Sequence, residues 1–234
     1  MTNDDQDVSL RLNKHLALML GISRREADTL IETGMVQVNG RTAELGGRVS
    51  PEDTVVVAKT TLPQEAPAYI YLQLNKPVGY VCSRRAQGDI PTIYSLLPHE
   101  YHKLKPVGRL DANSSGLLLL TNDGDFAFAM THPKFYKIKV YKVRLDRDLE
   151  PLHQQMIGEF GITLEDGRSQ LQLMRLSDKN RCEWQVTMSE GRNRQIRRTF
   201  AALGYKVTRL HRTDFGPYSL GSMKKGEHKL TEKK

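Results

Sequence analysis

Arg109 and Asp111 stand two positions apart at the head of an apolar run, in the segment GRLDANSSGLLLLTNDG at 108–124. A carboxylate held beside a rigid element, with a cation next to it, can serve as a nucleophile or a base. The same two residues can also be purely structural, Asp111 as a helix cap or as the partner of Arg109 in a surface ion pair. Two further groups could complete a site. Tyr141 lies in KVYKVRL at 139–145, where its ring is either a core aromatic or a flat surface for a base. Arg194, Arg197 and Arg198 have the i, i+3, i+4 spacing of one helix face, with Ile196, Phe200 and Leu203 on the other. That face could meet an anion while the other packs on a sheet.

These residues need elements to hold them. Leu117 to Leu120 is too short to span a membrane and suits a buried strand. Asn122-Asp123-Gly124 then supplies a turn. YIYLQL from Tyr69, the Val140–Leu145 stretch and Trp184, Val186 and Met188 read as further strands, and 153–157 and 193–203 as helices. Strands outnumber helices and follow no βαβ order, so the expected class is α+β with a mainly antiparallel mixed sheet.

The first 60 residues read as a separate small unit. Leu12, Leu16, Met19 and Leu20 share a helical face that Gly21 can end. Ser23 and Glu26 have capping-box spacing for a second helix, stopped at Gly34. Val36 and Val38 alternate as a strand, Asn39-Gly40 signals a tight hairpin, and Val55 to Val57 reads as a last strand. Arg24 and Arg25 fall in the first turn of the second helix, where the dipole disfavours cations but free amides attract anions. They form a candidate phosphate clamp, with Arg11 and Lys14 as helpers. TTLPQEAPA at 60–68 has two prolines and no helical or strand pattern. The expected division is therefore a domain over 1–60, a linker over 61–68 and a second domain over 69–234.

Charge points to a polyanionic partner. The 234-residue chain carries a formal net charge of +8. Residues 190–234 hold 12 basic and 4 acidic side chains, against 7 and 9 in residues 1–60, so the basic surface is expected near the C-terminus. The two cysteines form no CxxC pattern and the seven histidines have no ligand spacing, so no metal site is expected. The N-terminus is polar and acidic and shows no signal peptide, which fits a cytoplasmic protein.

Four segments occur in the order of a known family: LNKPVG at 74–79, GRLDANSSGLLLLTNDG, KVYKVRL, and EGRNRQIRRTF at 190–200. Together they closely resemble the pseudouridine synthases that act on ribosomal RNA, the RsuA/RluB/RluE/RluF group. The likeness runs from about residue 8 to 230. VSLRLNKHLALMLGISRREADTLIETGMVQVNG resembles the S-four-type (alpha-L) RNA-binding domain that commonly precedes this synthase domain. VCSRRAQGDIPTIYSLLP at 81–98 departs from stricter family segments and leaves the subgroup open.

The resemblance implies an enzyme that isomerises one uridine to pseudouridine, with Asp111 as the essential carboxylate, Tyr141 as the base platform and Arg197 as the partner of Asp111. It implies that Arg109 stacks in the space left by a flipped base and binds phosphate, although a salt bridge orienting Asp111 is a rival reading. Lys76, which can reach phosphate or pack as a strand-end cap, is a further candidate for RNA contact, as are Arg194 and Arg198. The implied partner is ribosomal RNA or a pre-ribosomal particle, met by a monomer without membrane, metal or organic cofactor. A catalytically weak RNA-binding assembly factor on the same fold is the alternative. A glycosidic hydrolase would want two carboxylates flanking the bond, and one stands out.

Overall fold

A computed structural model describes residues 9–84 and 87–234, divided into two compact units, Met1–Tyr69 and Ile70–Lys234. The acidic residues 1–8, and Arg85 and Ala86 of the 81–98 segment, lie outside the described residues.

In the first unit, β1 (Leu10–Arg11) runs into α1 (Leu12–Leu20), which ends at Gly21 with φ 69°. Ser23 and Glu26 form the expected reciprocal box at the head of α2 (Arg24–Glu32). Then come β2 (Val36–Val38), β3 (Arg41–Thr42), β4 (Arg48–Val49), β5 (Val55–Val57) and β6 (Thr60–Thr61). Asn39 and Gly40 join β2 to β3 with φ of 52° and 78°, the positive pair that a tight hairpin turn demands. Leu12, Leu16, Ala27, Ile31, Val36, Val49 and Val55 make a small core. The 60–68 stretch is not, as its composition led one to expect, irregular throughout. Thr60 and Thr61 form an edge strand on β5, and Leu62 packs on the core. Such a strand needs a ladder on one side only, so it leaves little sequence pattern.

The second unit is built on a nine-stranded sheet. Its elements are β7 (Tyr71–Lys76), β8 (Lys105–Val107), β9 (Ser115–Thr121), α3 (Gly124–Thr131), β10 (Lys139–Leu145), α4 (Pro151–Gln155), the hairpin of β11 (Ile162–Leu164) and β12 (Gly167–Ser169), β13 (Gln172–Arg175), β14 (Glu183–Met188), α5 (Gln195–Ala201), β15 (Val207–Phe215), β16 (Tyr218–Ser219) and β17 (His228–Thr231). The strand order is β13-β14-β10-β15-β9-β7-β17, with β8 also on β9 and β16 on β15. Every pair in this sheet is antiparallel except β9 with β15. This is the mainly antiparallel mixed sheet expected. Among the described residues no helix is long and apolar enough to cross a membrane.

Both faces of the sheet are covered at β9, which explains its unbroken leucine run. Leu118 and Leu120 join one core with Leu72, Leu74, Trp184 and Phe200, whereas Leu117 and Leu119 join another with Phe126, Met130, Phe215 and Tyr218. Helix α3 escaped the sequence reading, which saw only a turn at 122–124. FAFAM alternates with a period of two and shows no helical stripe. The buried Asp123 starts the helix by accepting from Asp125 N and Phe126 N, both at 3.0 Å, while its other oxygen takes Tyr71 Oη and Lys233 Nζ.

The sheet has one narrow joint. β9 and β15 share two registered pairs, Ser115 with His211 and Gly116 with Arg212. Gly116 has φ +107°, and a Cβ there would lie 2.1 Å from Arg212 O and 2.6 Å from Arg212 N. Only glycine allows this approach. Gly116→Ala combines a forbidden φ with a backbone clash and is expected to cost about 4 kcal/mol. Gly79, at φ +88° with nothing near its missing Cβ, is the comparison, and alanine there should cost only about 1 kcal/mol. Denaturant unfolding of both variants measures the difference, and equal losses would dismiss the steric argument.

Candidate active site

Asp111 sits in the 108–114 loop between β8 and β9, and that loop is clamped from beneath. Lys76, fully buried at the end of β7, donates to the carbonyls of Asp111 (3.0 Å), Ser114 (2.8 Å) and Pro77 (3.0 Å). Three acceptors match the three N–H groups of the ammonium. Burial pulls the Lys76 pKa below its ordinary value, with Cys82 and Asp111 opposing. Lys76 therefore cannot touch RNA phosphate as the sequence suggested; its charge is spent on the backbone of the Asp111 turn. Ser114 N closes that turn on Asp111 O at 3.0 Å.

The arginines divide differently from the expectation. Arg194, not Arg197, pairs with the carboxylate: Arg194 Nη1 lies 3.2 Å from Asp111 Oδ2 and 3.4 Å from Asn113 Oδ1. Arg194 precedes α5 with φ 48°, so it does not share the helix face that its spacing implied. Arg197 instead donates to Val207 O (2.8 Å), Asn113 O (2.7 Å) and Ser114 Oγ (3.3 Å). It ties the Asp111 loop to β15 by the backbone. Burial lowers the Arg197 pKa, Arg194 adds to this, and Asp111 opposes it. Arg198 turns elsewhere, gripping both oxygens of Asp166 at 3.0 and 2.6 Å and Asn193 O at 2.9 Å. A carboxylate on the protein already answers the charge that was assigned to phosphate.

Above the loop opens a cleft of about 630 Å³. Asp111, Arg109, Tyr141, Lys139, Arg194 and Arg212 all line it. Tyr141 lies on β10 between β14 and β15 and is 8 % exposed, so its ring is at once core and cleft wall. Arg109 is exposed and forms no ion pair among the described residues, which removes its salt bridge to Asp111 from this structure. Arg212 and Lys139 were missed as site residues. Arg212 occupies an inward strand position that usually holds an apolar residue, and only the sheet register reveals that it faces Tyr141. Among the described residues no group of three or more His, Cys, Asp or Glu could hold a metal ion.

In the first unit, Arg11, Arg24 and Arg25 are exposed and Lys14 is half-buried. Arg24 is partly committed, since Nε and Nη2 donate to Asn13 Oδ1 at 3.2 and 3.0 Å, and Asn13 in turn donates to Asp28.

Comparison with known proteins assigns this architecture. Residues 70–202 match the family model described as RNA pseudouridylate synthase. The chain belongs to the RNA pseudouridylate synthase family. The matched span contains Asp111, Tyr141, Arg194 and Arg197. Residues 10–55 match the S4 domain, and this span holds Arg11, Lys14, Arg24 and Arg25. The "Ribosomal small subunit pseudouridine synthase A" of Pasteurella multocida is 37% identical over 94% of this chain and 95% of its own length. The "Ribosomal large subunit pseudouridine synthase B" of Bacillus subtilis is 35% identical over 93% and 90%. A solved structure described as a pseudouridylate synthase superposes with a TM-score of 0.67 at 34% identity, covering 95% of this chain and 96% of the other. The protein is thus an RNA pseudouridine synthase, an S4 domain followed by the synthase domain.

The synthase's two site arginines differ in what they support. Arg197→Gln removes three hydrogen bonds from a charged donor and leaves Asn113 O and Val207 O short of a partner, an expected loss of about 3 kcal/mol. Arg194→Gln breaks an ion pair whose side chains are 43% and 34% exposed. Its stability should change by less than about 1 kcal/mol. Thermal and urea unfolding of the two variants should separate them clearly, and a larger loss for Arg194→Gln would invert the assignment.

Proposed function

We propose that this synthase isomerises a specific uridine of ribosomal RNA, with Asp111 as the catalytic carboxylate. The observation that carries the reading is the placement of Asp111, paired with Arg194, in the same cleft as Tyr141. The names of the relatives point to ribosomal RNA as the substrate, one on the small and one on the large subunit.

The reaction conserves every atom except one exchanged proton, and it consumes no redox equivalent or phosphate donor. The N1–C1′ bond breaks with its electron pair leaving on the base. The base turns and C5 bonds to C1′, as the bond to the carboxylate breaks or the C2′ proton is returned; the C5 proton then departs and N1 takes one up. Asp111 either attacks C1′ or removes the C2′ proton, and the ion pair with Arg194 orients its carboxylate. Tyr141 offers a flat wall on which the uracil stacks. A uridine inside folded RNA must first leave its stack, and the exposed Arg109 at the cleft edge is suited to fill the space vacated. Arg11, Lys14, Arg24 and Arg25 supply cations for docking RNA on the S4 domain.

Asp111→Asn is nearly isosteric and should abolish single-turnover formation of pseudouridine while leaving the melting temperature and RNA affinity close to wild type. Tyr141→Phe should keep the stacking surface, so binding should fall less than turnover, whereas Tyr141→Ala should also weaken the complex by roughly 1–3 kcal/mol. Mapping pseudouridine across ribosomal RNA with and without the gene names the target. An active Asp111→Asn enzyme would discard the catalytic assignment, and unchanged uridine with wild-type enzyme would favour a catalytically weak assembly factor.

A further inference from the structure

The wall of the cleft around Tyr141 carries positive charge that the protein itself leaves unanswered. Arg212 is 2% exposed. Its Nε donates to Leu117 O at 2.8 Å, while Nη2 is buried without an acceptor. Its guanidinium lies 4.7 Å from the Phe215 ring centre, and Lys139 Nζ lies 5.4 Å from the same ring. Lys139 donates only to the carbonyls of Lys137, Ser189 and Glu190, at 3.2–3.3 Å. Among the described residues neither cation has a carboxylate within ion-pair distance. Burial lowers the Lys139 pKa, and the charge of Arg212 lowers it further, with Glu190 opposing. Two cations half-hidden from water around one aromatic ring are costly unless an anion visits.

The strand register aims this charge at one place. Tyr141 pairs with Arg212, Val140 with Asp214 and Lys139 with Phe215, so Thr213 has no opposite number. Residues three apart in a regular strand point to opposite faces. The bulge at Thr213 cancels that inversion and sets Arg212 and Phe215 against Tyr141 and Lys139. Such placement is unsuited to a phosphate of the RNA backbone, because Arg212 is hardly exposed. It suits a flat group lying on Tyr141.

Building on the reading that Asp111 isomerises a uridine here, we propose that Arg212, with Lys139 behind it, holds the negative charge of the detached uracil. Heterolysis of N1–C1′ leaves the electron pair on the base, spread over N1, O2 and O4. The charge is discharged when C5 bonds to C1′; the C5 proton then departs while N1 takes one up. A cation fixed in a poorly hydrated site stabilises that anion without reorganising. The carboxylate paired with Arg194 serves the sugar, and the Arg212–Lys139 pair serves the base.

The test compares two leaving bases. A stem-loop carrying the mapped target is synthesised with uridine or with 5-fluorouridine, whose fluorine stabilises the base anion. Loss of the N–C-linked nucleoside is followed in single turnover by chromatography of the digest. Arg212→Met should slow the uridine reaction by about 100-fold, as removal of one charge-stabilising donor does elsewhere. Its defect on 5-fluorouridine should be smaller by about tenfold, because the better leaving base needs less help. Arg212→Lys, which keeps the charge, should stay within about tenfold of wild type on uridine. Equal defects on the two bases, or none, would overturn the proposal, since a merely structural arginine does not distinguish fluorine from hydrogen. If melting curves show Arg212→Met unfolded, the lysine variant decides alone: folded and slowed on both bases by as much as about 100-fold, it refutes the role. Failure of the underlying reading is seen separately, as absence of pseudouridine with wild-type enzyme or activity of Asp111→Asn.

Discussion

The cleft that gathers Asp111 and Tyr141 depends on one short contact, the approach of Gly116 to the backbone of Arg212. Through it the half-sheet of β7, β8, β9 and β17 meets the half-sheet of β10, β13, β14, β15 and β16. Asp111 belongs to a loop on the first half, while Tyr141, Lys139 and Arg212 lie on strands of the second. The side chains that cross the joint lock the same alignment. Arg197 reaches Asn113 O, Arg212 Nε reaches Leu117 O, and Ser115 Oγ lies 2.9 Å from His211 Nδ1. A parallel pair of two residues would be weak alone, and these bonds reinforce it.

Charge in this chain is distributed by task rather than by count. Lys76 and Lys139 turn inward to backbone carbonyls. Arg192 and Arg198 converge on Asp166. Arg194 meets Asp111. Within the basic C-terminal segment, Arg192, Arg197, Arg198 and Arg212 are drawn inward around the cleft, whereas Lys206, Arg209, Lys224, Lys225, Lys229, Lys233 and Lys234 stay exposed. Arg109 also stays exposed, at the edge of the cleft.

Much of the architecture was legible locally. The capping box at Ser23–Glu26, the Asn39–Gly40 hairpin and the buried strand at Leu117–Leu120 each rest on interactions within a few residues, so their patterns survive in the linear chain. Asp111, Tyr141 and Arg197 could be singled out because their segments resemble a family, and the cleft does gather Asp111 and Tyr141. Helix α3 and strand β6 were not legible. One starts on an aspartate whose burial depends on Tyr71 and Lys233, and the other is an edge held by a single neighbour.

Residue types alone, then, determined which groups were available: a carboxylate beside a strand, an aromatic on another, and arginines around a short helix. Tertiary structure decided their assignments. Arg194 took the place expected of Arg197 because α5 starts at Gln195, two residues later than expected, and the preceding backbone turns into the left-handed region, moving one guanidinium toward Asp111 and leaving the other on the loop backbone. Lys76 proved to be an internal clamp because the strand carrying it ends beneath three carbonyls. Arg212 entered the cleft because a strand far along the chain pairs with Tyr141 across a bulge. Sequence spacing fixes which side chains share a face of one element, but pairing between distant strands sets what that face meets.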